Sequence, residues 1–206
     1  MAATSECCMA IDLFVESIIC GGSACRGMIL CGPVGSAKRQ AALAAAAEFG
    51  THVVELEPTS LVSRDELLSI LGKVGPDGVL VAHNFDELPA KAQADLALLV
   101  ATGHATQRTN PYADDYRPGA APEEPVPPRM LIATTNQLSS MPYAMAQVLP
   151  RFELRRSRDL IRWSLRRLLM AMDASCDPET IEDLATLIYL IRYDAFDKVA
   201  AVIRGF

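Results

Sequence analysis

Residues 27–50, GMILCGPVGSAKRQAALAAAAEFG, constrain the fold more than any other stretch of this 206-residue chain. An apolar run (GMILC) reads as a short strand buried on both faces, GPVG as a turn, and the alanine-rich remainder as a helix from about 37 to 49. A lone strand–turn–helix unit cannot bury its own apolar surface, so it needs further strands beside it. The chain supplies them at regular intervals. HVVELE reads as a second strand, and RDELLSILGKV as a helix with Ser63 as N-cap and Glu66 at capping-box spacing. GVLVAHNF is a third strand after the turn Gly75-Pro76-Asp77-Gly78. A helix is expected over 89–101, a fourth strand at MLIATTN, a helix over 142–148, and an extended PRFELRR. Ahead of all these, MAIDLFVESII spaces Ile11, Phe14, Val15 and Ile18 as an amphipathic helix does, ending at Gly21-Gly22. The expected class is α/β, a parallel sheet flanked by helices.

Two segments break this rhythm. Residues 102–129 hold six of the chain's 13 prolines and little aliphatic periodicity, as an insert or loop would. After residue 156 no strand-like run remains. An Arg- and Leu-rich helix, a turn at Cys176-Asp177-Pro178 and two further helices make a small C-terminal all-helical bundle. Two domains are therefore expected, 1–156 and 157–206.

The composition narrows the function. A net charge of −6 argues against a surface that coats nucleic acid throughout, though not against a local basic patch. No apolar run reaches the roughly 18 residues that span a bilayer, so no membrane partner is expected. The stretch before Arg26 carries no base and resembles neither a secretory nor a transit signal, which points to an intracellular setting, cytoplasmic or nuclear. The six cysteines form no C-x-x-C pair, and none of the three histidines stands at zinc-ligand spacing from a cysteine pair. Free thiols and no metal site are the expectation.

The turn in the opening stretch has the form of a phosphate-binding loop, G-x-x-x-x-G-K-[ST], with two departures. Gly32, Pro33, Gly35, Ser36 and Lys38 keep the turn and the cation. Ala37 stands where the second glycine belongs, and Arg39 stands where a hydroxyl would hold magnesium, which a guanidinium cannot do.

GPVGSAKR, VLVAHNFDEL, LIATTN and LPRF, followed by the helical segment, resemble in order the Walker A, Walker B, sensor 1, arginine-finger and lid elements of AAA+ P-loop ATPases. The layout is most similar to RuvB-type and clamp-loader-like members. AIDLFVESI running into MILCGPVG, the short path from AAEFG to VLVAHNFDEL, and the insert before LIATT carry that likeness, which spans about 10–206. It leaves out the N-terminal linker and the C-terminal winged helix of such motors. The resemblance implies a P-loop AAA+ fold with a helical lid, nucleotide contacts from 32–39, sensor 1 at Asn136, an arginine finger at Arg151 and sensor 2 at Arg192. The Walker B positions fall on His83 and Asn84. Neither is a carboxylate, so neither orients magnesium nor takes a proton from water as the acids there would.

Both groups that hold magnesium are thus replaced. Phosphoryl transfer depends on metal positioning and charge neutralisation, so the reading is a pseudo-ATPase with no catalytic residues expected. It is a structural or regulatory subunit beside other AAA+ subunits, in DNA replication or recombination by family likeness. ATP or ADP would bind, if at all, without Mg2+. Two alternatives stand beside it. One is a weak ATPase using Asp86 and Glu87, a register that buries His83 and Asn84 in the strand. The other is a nucleic-acid-binding module using Arg155, Arg158, Arg162 and Arg166 at the start of the lid, a run whose simplest reading is a solvated helix face. Trp163, the single tryptophan, is expected to pack rather than to stack on bases.

Overall fold

The computed structural model describes residues 2–21, 26–49, 52–60, 64–102, 128–172, 174 and 176–190. In chain order the elements are α1 (Ala2–Ile19), β1 (Gly27–Cys31), α2 (Lys38–Ala47), β2 (Val53–Leu56), α3 (Arg64–Val74), β3 (Val79–Ala82) and α4 (Ala90–Thr102). They continue with β4 (Met130–Thr135), α5 (Tyr143–Val148), β5 (Arg151–Glu153), α6 (Arg158–Ala171) and α7 (Pro178–Leu190). The expected α/β class is the one observed.

The five strands form one parallel sheet in the order β2-β3-β4-β1-β5. Strand chemistry follows position. Central β3 (VLVA) and β4 (MLIATT) are buried along their whole length, and β1 is buried at four of its five residues. Strands covered on both faces read as continuous apolar runs, which is why these three were legible. The edge strands β2 and β5 are partly exposed and carry Glu55, Arg151 and Glu153. Register is tight: Val53, Val54, Glu55 and Leu56 pair with Val79, Leu80, Val81 and Ala82.

By contact density the chain divides into two compact units. One comprises Cys25–Ile29 and Thr51–Pro150, with β2, β3, β4 and α3 to α5; α3 packs on β2 and β3, and α4 on α5. The other comprises Met1–Ala24, Leu30–Gly50 and Arg151–Phe206, with α1, α2, β5, α6 and α7. In this second unit α2 lies close against α6. Ala41, Ala42, Ala44, Ala45 and Ala46 are all buried, and their small side chains permit that approach.

Helix α6 starts where Ser157 caps it, its hydroxyl accepting from the Leu160 amide at 3.1 Å. It buries Ile161, Leu165 and Leu169 against Ile181, Ala185 and Ile188 of α7. Each fully buried Leu or Ile contributes about 1.5–3 kcal/mol, enough to hold this helical pair together. Arg156 closes the far end of α7, donating to the carbonyls of Ile188 (3.0 Å) and Tyr189 (3.1 Å), where a cation complements the helix terminus.

The boundaries differ from expectation in two places. Helix α1 begins at Ala2, ahead of the amphipathic run, and β3 stops at Ala82, so that His83 and Asn84 form a turn. The proline-rich insert (all but its ends), the last helix of the C-terminal bundle and Arg192 lie outside the described residues. No described helix is long and apolar enough to cross a membrane.

Candidate nucleotide-binding site

Ser36 donates its amide to the Pro33 carbonyl at 3.1 Å, closing a four-residue turn directly after β1. Gly35, third in that turn, has φ +81, the geometry for which glycine is favoured. Gly32 is needed for another reason: a Cβ there would meet the Leu154 carbonyl oxygen at 2.3 Å. That glycine is thus fixed by the chain leaving β5, independently of any phosphate.

The Lys38 side chain folds back over the loop. Its ammonium donates to the carbonyls of Gly32 (2.7 Å) and Pro33 (2.9 Å) and reaches the Ser36 hydroxyl at 3.4 Å. Lys38 is only 8% exposed, so these oxygens offset the desolvation of a buried cation. The ammonium thereby braces the loop just before the N-terminus of α2, whose first amides lack intrahelical partners.

Ala37 sits at the N-cap of α2 with φ +61 and ψ 28, in the left-handed region, and makes no side-chain cap. A phosphate-binding loop takes glycine here because that conformation carries no Cβ penalty. The backbone of this chain keeps the conformation although the side chain opposes it. Arg39 is largely exposed in the first turn of α2.

In the other unit, the ends of β3 and β4 carry the remaining polar positions. His83 is 3% exposed, and its Nε2 lies 2.8 Å from Glu55 Oε2, while its Nδ1 is buried without a partner. The burial of His83 that the sequence made costly does occur, with Glu55 compensating one nitrogen. Asn84 adopts φ +43, a conformation asparagine tolerates better than most residues. Its amide donates to Thr134 Oγ1 at 3.1 Å, and its carbonyl accepts from the Glu87 amide at 2.8 Å. This ties the end of β3 to β4. Asp86 Oδ1 is buried with no hydrogen-bond partner, and Glu87 is exposed.

Asn136 follows β4 directly and is half-buried; the turn beyond it is held by Thr135, whose hydroxyl bonds with both the amide and the carbonyl of Gln137. Arg151 opens β5, exposed, and forms no ion pair among the described residues. Its neighbour Glu153 meets Arg155 at 3.6 Å, both of them well exposed.

The arginines of α6 and of the segment just before it divide into two kinds. Arg162 bridges Asp159 and Glu182, and Arg167 bridges Asp12 and Glu48 while lying 5.5 Å above the Trp163 ring. Trp163 Nε1 donates to Asp12 at 2.8 Å, so the tryptophan is packed against α1. Burial works against the charge of Arg167, but Glu48 and Asp12 outweigh it and hold its pKa above the ordinary value. Arg155, Arg158 and Arg166 face solvent. These partnerships link residues up to about 150 positions apart, and no local pattern in the sequence signals them. Glu55, the partner of His83, was likewise missed; its alternation with Glu57 along an edge strand was the available signal.

No protein-family model matches the sequence, and no curated protein matches it. Solved structures do. The chain is similar to Thermotoga maritima RuvB, the Holliday junction branch migration motor, with a TM-score of 0.57 and 17% identity over 87% of this chain and 55% of that one. A proline-to-glycine variant of that protein gives 0.58 at 17% identity, covering 85% and 54%. An alanine-to-serine variant gives 0.55 at 18%, again covering 85% and 54%. The chain thus shares the fold of these RuvB structures, and it spans about half of their length.

Proposed function

We propose that this chain is a nucleotide-loop AAA+ subunit that does not hydrolyse ATP and acts through its fold, as a structural or regulatory member of an oligomeric assembly. The observation that carries the reading is the chemistry at the end of β3. The positions from which two acids would hold magnesium and activate water are His83, committed to Glu55, and Asn84, committed to a turn against Thr134. Arg39 in place of a hydroxyl removes the second magnesium contact. The phosphate loop itself keeps its turn, its lysine and its left-handed residue, so ATP or ADP is retained as a ligand without Mg2+.

Exposed Arg151, with no ion pair among the described residues, suits a residue that reaches a neighbouring subunit's nucleotide, and 157–206 serves as the lid, with sensor 2 at Arg192. DNA replication or recombination is the setting we assign, by likeness to a branch migration motor. A second reading, a slow ATPase that uses Asp86 and Glu87, is favoured by one observation: the buried, unpartnered Asp86 Oδ1 that a cation would satisfy.

The test is phosphate release from ATP with and without Mg2+, on wild type, Lys38→Ala and Asp86→Asn, beside a fluorescent-nucleotide titration and native mass spectrometry. We expect no magnesium-dependent turnover in any of the three proteins, and nucleotide binding weakened in Lys38→Ala. Magnesium-dependent turnover lost in both variants establishes the second reading and ends the first. A strictly monomeric mass in native extracts ends the assembly role.

A further inference from the structure

Glu55 and Glu57 stand two residues apart on the edge strand and its continuation, so both side chains fall on one face of the sheet. The β2–β3 register pairs Leu56 with Ala82, and the His83 amide extends the ladder by donating to the Leu56 carbonyl at 2.9 Å. One step further sets His83 beside Glu57 on that same face. Three donor groups from two adjacent strands therefore converge, and one ligand atom of each lies within 4.8 Å of the others. They do so at the C-terminal end of a parallel sheet, where α/β folds place their ligands.

The imidazole is the unusual member. Its side chain is 4% exposed, yet only Nε2 has a partner, Glu55 Oε2 at 2.8 Å, while Nδ1 is buried with none. A half-satisfied buried histidine is a costly way to fill the end of a strand that Leu or Phe would fill without loss. It is well suited to bringing a nitrogen to two carboxylates. The proton shared between imidazole and Glu55 then occupies a position that a cation with short bonds to nitrogen and oxygen would take.

We propose that Glu55, Glu57 and His83 form a binding site for one divalent transition cation, of which zinc is the best match. One imidazole and two carboxylates are the mixed nitrogen and oxygen donor set of such ions, whereas magnesium prefers oxygen throughout. Three protein ligands leave coordination positions to water on the side where Glu55 is 36% exposed. Bound there, the ion clamps edge strand β2 to β3. None of its donors lies in the loop over 32–39, so Zn2+ binding here and nucleotide binding there are measured separately, although His83 and Glu55 also enter the non-hydrolytic reading.

The probe is Zn2+ titrated into the chelator-treated full-length chain in competition with a chromophoric chelator, with Co2+ as a spectroscopic substitute. We expect one equivalent bound, a rise in melting temperature with Zn2+, and affinity lowered at least about tenfold in both Glu57→Gln and His83→Gln, since even the residues supporting a metal ligand typically matter by 10–100-fold. Because Glu57 is only half-buried, Glu57→Gln tests the site even if His83→Gln fails to fold. The Co2+ complex is expected to show d–d bands without thiolate charge transfer. Absence of stoichiometric binding, affinity unchanged in Glu57→Gln, or a thiolate charge-transfer band that assigns the metal to cysteines would each overturn the proposal.

Discussion

Replacing Ala37 by glycine is expected to stabilise the protein, contrary to the usual effect of introducing glycine next to a helix. Ala37 is held at φ +61, and for an L residue the left-handed conformation costs roughly 1–2 kcal/mol. Glycine removes that cost. Against it stands the greater freedom of glycine in the unfolded chain, about 0.4–1 kcal/mol. The balance is a gain of roughly 0.5–1 kcal/mol, and for a chain of this size about 2–4 °C in Tm accompanies each kcal/mol. A rise of about 2 °C is therefore predicted in calorimetry, with the urea midpoint moving upward and its slope unchanged. Ala37→Val is the counterpart: a β-branched residue tolerates this region worse than alanine, and Tm falls. If glycine lowers Tm while valine leaves it unchanged, the loop does not hold residue 37 in the left-handed region in solution, and the account of a preserved phosphate-loop backbone fails with it.

Burial first, then the charges of Cys7, Asp12 and Asp159, push the Cys8 thiol up to about 12, so at pH 8 only about one molecule in ten thousand carries the thiolate. Iodoacetamide mapped by peptide mass should label exposed Cys20 readily and leave Cys8 unlabelled until the protein is denatured; equal labelling of the two in the native state would refute this. Asp177 caps α7, accepting from the Thr180 hydroxyl and, at 2.8 Å, from the Thr180 amide, and these bonds hold its pKa below the ordinary carboxylate value. A lowered folded-state pKa contributes stability that is complete above the unfolded value of about 4 and is lost as pH falls through the folded one. The Tm difference between wild type and Asp177→Ala should accordingly be constant near neutrality and shrink in acid; a difference that grows in acid would reverse the assignment.

The parts of this fold that could be read from the sequence are those whose burial is symmetrical. GMILC, VLVA and MLIATT are strands covered on both faces, and their unbroken apolar runs leave little choice of period. Helix α6 was legible as an Arg- and Leu-rich run whose Leu and Ile spacing persists to Leu169, whereas the Ser157 cap that opens it was not read. The start of α1 was not, because AATSECC carries no apolar period and joins the helix as an extension of the amphipathic run behind it. At the site, the residue types at positions 37, 39, 83 and 84 were plain in the sequence. What those positions do instead depends on contacts between distant residues: His83 with Glu55, Asn84 with Thr134, Arg167 with Asp12 and Glu48. Charge counting presented the arginines around α6 as a single patch, whereas the acids that claim two of them come from α1, the C-cap of α2, α6 and α7.

Trp163 gives the α6–α1 junction a signal of its own. It is the sole indole in the chain, half-buried, anchored through Nε1 to Asp12 and stacked beneath Arg167. All tryptophan emission from the protein thus originates at one joint between two helices, so the wavelength of that emission reports whether α6 is seated on α1. Nucleotide, metal or a partner subunit can each be scored for its effect on that joint in a cuvette, without a label and without a mutation.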